Sequence, residues 1–271
     1  MLLPISPVSL PNFPAGPRGT ALVTGASRRV GRAIAVELAR QGFGLVLTFR
    51  ARKDECSETA RLATEAAAVA GHAITTACLH LELADVGAVD ASARALEAAR
   101  AAHGATLDAI IHNASAYEAT PLDAIDPAVV GEFHRIEVVS PLVLTERLRG
   151  ALSGSRLEGG GAVVFFSDIH VLGRARPGFA AYNLAKCAVE GLARQLAVEL
   201  APATRVHCVA PGVVMWPDGF PEETKAQILA RTPLGRAGTP EEAAKLVRFL
   251  VLEGTYSTGD TIRIDGGRSL R

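Results

Sequence analysis

Seven short apolar segments alternate along this chain with longer segments of helical period, and this alternation restricts the fold more than any other feature. Strand-like runs lie at 20–24, 44–50, 73–79, 107–112, 162–167, 205–209 and 261–264. Helical patterns fill 28–41, 53–70, 85–102, 127–149, 179–200, 221–231 and 240–252. The strands read as continuous apolar runs, as in AVVFF at 162–166, rather than as apolar and polar residues in turn. Strands of that kind are buried on both faces, which requires a mostly parallel sheet with helices on each side. The expected architecture is a doubly wound α/β fold with seven strands. Such sheets bind ligands beyond the carboxyl ends of their strands.

The 271 residues suffice for one large domain, expected over 19–271, and no linker or repeat divides it. Residues 1–18 carry prolines at 4, 7, 11, 14 and 17 and lack a basic leader, so they read as an extended arm. Lys plus Arg equals Asp plus Glu at 28 each, and a chain without net charge has no global field to attract nucleic acid or an anionic membrane. No apolar run reaches membrane-spanning length. Cys56, Cys78, Cys187 and Cys208 are scattered, without a CxxC pair or a histidine at ligand spacing. The reading is a reduced, cytoplasmic protein without a metal site.

The first strand runs into Thr24-Gly25-Ala26-Ser27-Arg28-Arg29-Val30-Gly31 and then the first helix. Gly25 permits a tight turn beside a phosphate, and Gly31 lets the helix pack closely on the strand. Backbone donors at the helix start then face a pyrophosphate, and the Ser27 hydroxyl can add another. At the end of the second strand, an acidic residue would bind ribose hydroxyls. Phe49-Arg50-Ala51-Arg52 stands there instead, and with Arg28 it places positive charge where a ribose 2′-phosphate would lie. NADPH is the expected cofactor; the rival reading leaves Arg50 and Arg52 as solvated surface residues.

Tyr182 and Lys186 are four residues apart on the long helical pattern and so share one face. A neighbouring ammonium favours tyrosinate, and the expectation is a Tyr182 hydroxyl lowered from about 10 and usable as an acid or base near neutrality. Lys186 can also hold the ribose of the nicotinamide half.

Taken with His112-Asn113-Ala114-Ser115 after the fourth strand, Ala210-Pro211-Gly212 after the sixth and Asp265-Gly266-Gly267 near the end, these residues resemble the short-chain dehydrogenase/reductase family. The resemblance covers about 19–270. It implies a Rossmann-type fold, catalysis by Tyr182 and Lys186, and a homotetramer. It also implies a cofactor site that includes Val30, Glu82, Leu83, Asn113, Ala114, Ser115, Pro211, Gly212 and Val213.

Within that family the departures resemble the pteridine reductases. These carry Arg where Arg29 stands, in place of the usual glycine, and Asp where Asp168 stands, in place of the usual catalytic serine. The segment Asn113-Ala-Ser-Ala-Tyr117 resembles their loop, whose aromatic residue stacks on the pterin. The implied substrate is a pterin, held by Arg29, Ser115, Tyr117, Asp168 and Tyr182, with Asp168 beside Tyr182 helping to deliver a proton to a ring nitrogen. Two positions keep other readings open. Glu137 occupies the place of an asparagine that usually supports a water relay to the lysine; it could replace that residue, ion-pair with Lys186 or mark altered chemistry. Ser167 adjoins Asp168, and a one-residue slip would make it the catalytic residue. The rivals are a general ketone or 3-oxoacyl reductase and a non-catalytic NADPH-binding sensor.

Other residues draw weaker expectations. His170 reads as a solvent-facing loop residue that could instead line the pocket. Cys187 reads as a buried small apolar residue. Met215, Trp216 and Phe220, in a Pro-interrupted stretch, suit either a cover over the substrate or plain packing at a subunit contact.

Overall fold

A computed structural model describes residues 13–173 and 175–271. Seven parallel strands form one sheet in the order β3-β2-β1-β4-β5-β6-β7. They are β1 Gly19–Val23, β2 Phe43–Phe49, β3 Thr76–His80, β4 Ala109–His112, β5 Gly161–Phe166, β6 Thr204–Pro211 and β7 Thr261–Ile264. The helices are α1 Arg29–Arg40, α2 Lys53–Val69, α3 Val86–Ala102, α4 Pro127–His134, α5 Ser140–Ser153, α6 Ala180–Glu199, α7 Glu222–Ala230 and α8 Pro240–Leu252. Every expected strand is present, and so is every expected helix except the single one over 127–149, with ends shifted by a few residues.

Alternate residues of the central strands feed two separate cores, as the strand period of two requires. Leu22, Ile110, Val163 and Val206 pack on one face with residues of α3, α5 and α6. Ala21, Val23, Ile111 and Val164 pack on the other with residues of α1, α2 and α8. Each face is covered, so the strands carry no polar side that would mark an outer surface.

Two features matter for the site. The strand order reverses between β1 and β4, which opens a crevice at their carboxyl ends. And the expected single helix over 127–149 is interrupted: α4 passes into α5 through a π-helical turn, Arg135–Val139. A period of 3.6 cannot reveal such a turn, and single π turns inside helices are frequent at functional positions. Here the turn carries Glu137, which is buried.

The expected extended arm lies outside the described residues as far as position 12. Its remainder is packed rather than free. Phe13 is buried in one of the two cores, and Ala15 exchanges hydrogen bonds with Thr75, its N–H donating to Thr75 Oγ1 at 2.9 Å and its carbonyl accepting from the Thr75 N–H at 2.8 Å. Among the described residues, no helix is long and apolar enough to cross a membrane.

Candidate active site

The turn after β1 is held open by what surrounds it. Gly25 has φ +65°, and a Cβ there would lie 2.8 Å from Ala114 Cα; a Cβ on Gly31 would lie 2.3 Å from the Gly25 carbonyl oxygen. Neither position admits a side chain without displacing backbone. The end of β4 is tied to this turn. Asn113 Nδ2 donates to the carbonyls of Thr24 and Gly25, both at 3.1 Å. Thr24 Oγ1 accepts from the backbone N–H groups of Asn113 and Ala114, both at 3.0 Å.

Between these two strand ends lies a cleft of about 380 Å³. Eleven of the residues expected at a cofactor site line it: Gly25, Arg28, Arg29, Val30, Gly31, Arg50, Glu82, Leu83, Asn113, Ala114 and Ser115. Among the described residues, neither Arg28 nor Arg50 has a carboxylate within ion-pair distance, whereas Arg52 pairs with Glu55 at 2.5 Å. The positive charge expected for a 2′-phosphate therefore rests on Arg28 and Arg50. Arg52 is a surface ion pair, as the rival reading of that residue had it.

Ser27 corrects an expectation. Its hydroxyl donates to the Arg52 carbonyl at 3.1 Å and the residue is buried, so it braces the turn instead of offering a donor to the cleft. Pro211, Gly212 and Val213 sit at the end of β6, outside the residues that line this cleft. Gly212 is enclosed by β7, its N–H donating to the Ile264 carbonyl at 3.0 Å.

Arg29 adopts φ +53°, alone among the described residues other than glycine in this left-handed region. That conformation costs an L-residue about 1 kcal/mol and explains why glycine is usual at the corresponding place in the family. The guanidinium reaches toward the segment after β6, lying 3.8 Å from Asp218, which is itself highly exposed.

At the other side of Ser115 a chain of polar groups leads to Tyr182. The Ser115 hydroxyl donates to Glu137 Oε1 at 2.6 Å, and the Ala116 N–H donates to the same oxygen at 3.0 Å. Lys186 Nζ donates to Glu137 Oε2 at 2.8 Å and to the Phe166 carbonyl at 2.7 Å. The ammonium lies 5.7 Å from the centre of the Tyr182 ring. Of the openings left for Glu137, the geometry takes the ion pair with Lys186. Removing one partner from a buried pair of this kind costs about 3–5 kcal/mol.

Tyr182 donates to Asp168 Oδ2 at 2.9 Å, and Asp168 Oδ1 accepts from the His170 backbone N–H at 2.8 Å. Burial first, and then the Asp168 carboxylate, push the Tyr182 hydroxyl well above 10, with Glu137 adding to the effect. This reverses the expected lowering by Lys186, whose ammonium is answered by Glu137. The phenol holds its proton and is arranged as a donor.

The ambiguity at Ser167 resolves geometrically. Its buried hydroxyl donates to Glu190 Oε1 at 2.8 Å on the inner face of α6, away from Tyr182. Asp168 is the residue that meets the tyrosine.

Aromatic rings enclose this pair. Tyr117, half-exposed, stacks on Phe179 with ring centres 5.0 Å apart and meets Tyr182 edge-on at 5.1 Å. Phe133 closes another side, 6.3 Å from Tyr182. Thr120 fixes the loop that carries Tyr117, its hydroxyl accepting from the Ala181 N–H at 3.0 Å. Phe179 and Phe133 were not singled out in the sequence, although Phe179 stands only three positions before Tyr182.

Three weaker expectations also have outcomes. His170 lines a hollow with Arg176 and Arg268 that includes neither Asp168 nor Tyr182. Cys187 is exposed on α6, not buried. Trp216 and Phe220 pack together with ring centres 5.2 Å apart, and Met215 faces a separate hollow between α1 and α8.

Comparison with known proteins agrees with this geometry. A family model described as enoyl-(acyl carrier protein) reductase matches residues 25–269. A human protein named dehydrogenase/reductase SDR family member 4 is 32% identical over 262 residues, spanning 93% of this chain and 87% of the human one. A Staphylococcus aureus 3-oxoacyl-[acyl-carrier-protein] reductase FabG is 30% identical over 261 residues, spanning 92% of this chain and 97% of its own. Acetoin dehydrogenase from Enterobacter cloacae has the same fold, with a TM-score of 0.78 at 26% identity over 93% of this chain and 96% of that one.

Proposed function

The chain belongs to the short-chain dehydrogenase/reductase family, and we propose that within it this protein is an NADPH-dependent reductase of a pterin or closely related heterocycle. The observation that carries the proposal is the hydrogen bond from the Tyr182 hydroxyl to Asp168. A carboxylate beside the proton donor repels a ketone oxygen as negative charge develops on it. The same carboxylate complements the N–H groups of a flat nitrogen heterocycle.

The cleft residues fit the cofactor. Among the described residues, Arg28 and Arg50 are guanidinium groups with no carboxylate within ion-pair distance, and the Gly25 turn leaves room for a phosphate. Bound there, NADPH supplies the hydride that reduces a carbon–nitrogen double bond. Tyr182, kept protonated by burial and by Asp168, gives its proton to the ring nitrogen. Asp168 orients the phenol and accepts from substrate N–H groups. Tyr117 offers an exposed aromatic face against which a planar ring can stack. Lys186, Glu137 and Ser115 form a polar path from beside Tyr182 to the cleft along which a proton can be restored.

Reduction of a 3-oxoacyl group is the second reading, favoured by the named activity of the S. aureus relative. Asp168→Ser separates the two. Under the pterin reading it lowers kcat/KM for dihydrobiopterin by about 100-fold while improving ketone turnover, since a hydroxyl suits a carbonyl oxygen. Unchanged pterin turnover in that variant contradicts the role given to Asp168. A small homotetramer-forming, cytoplasmic enzyme is the accompanying proposal, by likeness to the family.

A further inference from the structure

A second hollow of about 280 Å³, lined in part by Ile169 and His170 just after Asp168 in the chain, shares no lining residue with the dinucleotide cleft. Four arginines line it, Arg176, Arg231, Arg268 and Arg271, and its lining contains no Asp or Glu side chain. In a chain with 28 basic and 28 acidic residues, that concentration of one sign is not a reflection of composition. Among the described residues, none of these four side chains is ion-paired, whereas nine other arginines are.

The arginines are held by groups other than acids. Arg176 lies over the Phe179 ring at 4.2 Å and donates to the Tyr117 hydroxyl. It is thus fastened to the same aromatic wall that borders Tyr182. Arg268 follows Asp265, whose carboxylate accepts from the N–H groups of Gly267 at 2.9 Å and Ser269 at 2.7 Å and so fixes the turn that carries it. Arg268 is half-buried, and its charge is felt by both Asp168 and Tyr117. Arg231 closes α7 and is exposed. Like charges gathered in one hollow repel one another, and the repulsion is relieved when an anion enters. Guanidinium groups suit a carboxylate because they bind it with two parallel hydrogen bonds.

We propose that this hollow is the binding subsite for an anionic arm of the substrate, a carboxylate carried on the side chain of the planar ring that Tyr117 and Tyr182 receive. The site would then select among heterocycles by their side arm: those ending in a carboxylate gain contacts with Arg176, Arg231 and Arg268 that those with a neutral arm do not. This rests on the pterin reading only for the identity of the ring, not for the anion subsite itself.

The experiment uses the full chain and two variants, Arg268→Gln and the exposed Arg231→Gln. First, the ratio of kcat/KM for dihydrofolate to that for dihydrobiopterin is measured with NADPH. The ratio falls about tenfold in either variant if the subsite holds the arm; a general loss of structure lowers both values together and leaves the ratio alone. Second, p-aminobenzoylglutamate, which carries the carboxylates without the pterin, is titrated by calorimetry. It binds the parent and binds either variant about tenfold more weakly. If no pterin is turned over but p-aminobenzoylglutamate still shows this loss, the pterin reading fails and the anion subsite stands. If p-aminobenzoylglutamate does not bind the parent, or if the ratio stays within twofold in both variants, the subsite is overturned.

Discussion

Oε2 of Glu137 lies 2.8 Å from Nζ of Lys186, and each side chain is 3% exposed. The pair consumes the ammonium that would otherwise lower the Tyr182 hydroxyl, and Glu137 itself raises it. Replacing Glu137 by Gln removes that negative charge and leaves Lys186 uncompensated, so Tyr182 gives up its proton at lower pH. A proton donor works only while protonated, and activity is lost as pH rises through its pKa. The basic limb of the kcat profile therefore moves to lower pH in Glu137→Gln. A limb that stays in place while kcat falls would mean that Glu137 only supports the packing of α4 and α5.

Arg50 borders the cleft with no carboxylate within ion-pair distance among the described residues, and its charge is the source of the proposed preference for the phosphorylated cofactor. Arg50→Asp should lower the ratio of kcat/KM with NADPH to that with NADH by about 100-fold, the loss of a charge-assisted contact plus repulsion by the new carboxylate. An unchanged ratio would assign the 2′-phosphate to Arg28 alone.

Two buried histidines make the fold sensitive to acid. His112 stacks on Phe165, with ring centres 4.7 Å apart, and burial lowers its pKa to about 3. His207 has no hydrogen-bond partner on either ring nitrogen among the described residues, and burial lowers it to about 4. Both are neutral in the fold but take up protons below 6.5 once unfolded. Their contribution is complete above that value and is lost as pH falls toward 4 and then 3, at up to about 1.4 kcal/mol per pH unit for each. Urea midpoints should fall between pH 7 and pH 5, and His207→Leu should reduce that slope. An equal slope in the variant would place the acid sensitivity elsewhere.

Most of the fold could be read from the chain because its strands are buried on both faces and its helices are periodic. The turn after β1 was legible for a local reason: Gly25, Arg28, Arg29 and Gly31 lie within seven consecutive residues, and one turn brings them together. Side-chain direction was harder. Ser27 belongs to the same turn, yet its hydroxyl points to Arg52, and Cys187 adjoins a buried lysine but faces outward on the helix. The π turn that carries Glu137 leaves no periodic trace, so its meeting with Lys186, 49 positions away, could only be one of several openings. The sign of the Tyr182 shift went the same way: spacing puts a lysine beside it, but burial and two distant carboxylates outweigh that lysine. Arg176 and Arg268 come together from segments over 90 positions apart, and no local pattern announces them.

Tyr182 and Asp168 are proposed to serve reduction of a nitrogen heterocycle. That role is tested most directly by following NADPH oxidation with dihydrobiopterin and dihydrofolate beside a panel of ketones and a 3-oxoacyl thioester. The expected result is a kcat/KM for at least one pterin about 100-fold above that of any carbonyl compound. Rapid oxidation with the ketones or the thioester and little with either pterin would contradict it, leaving the fold and the Tyr182–Lys186 pair to a carbonyl reductase.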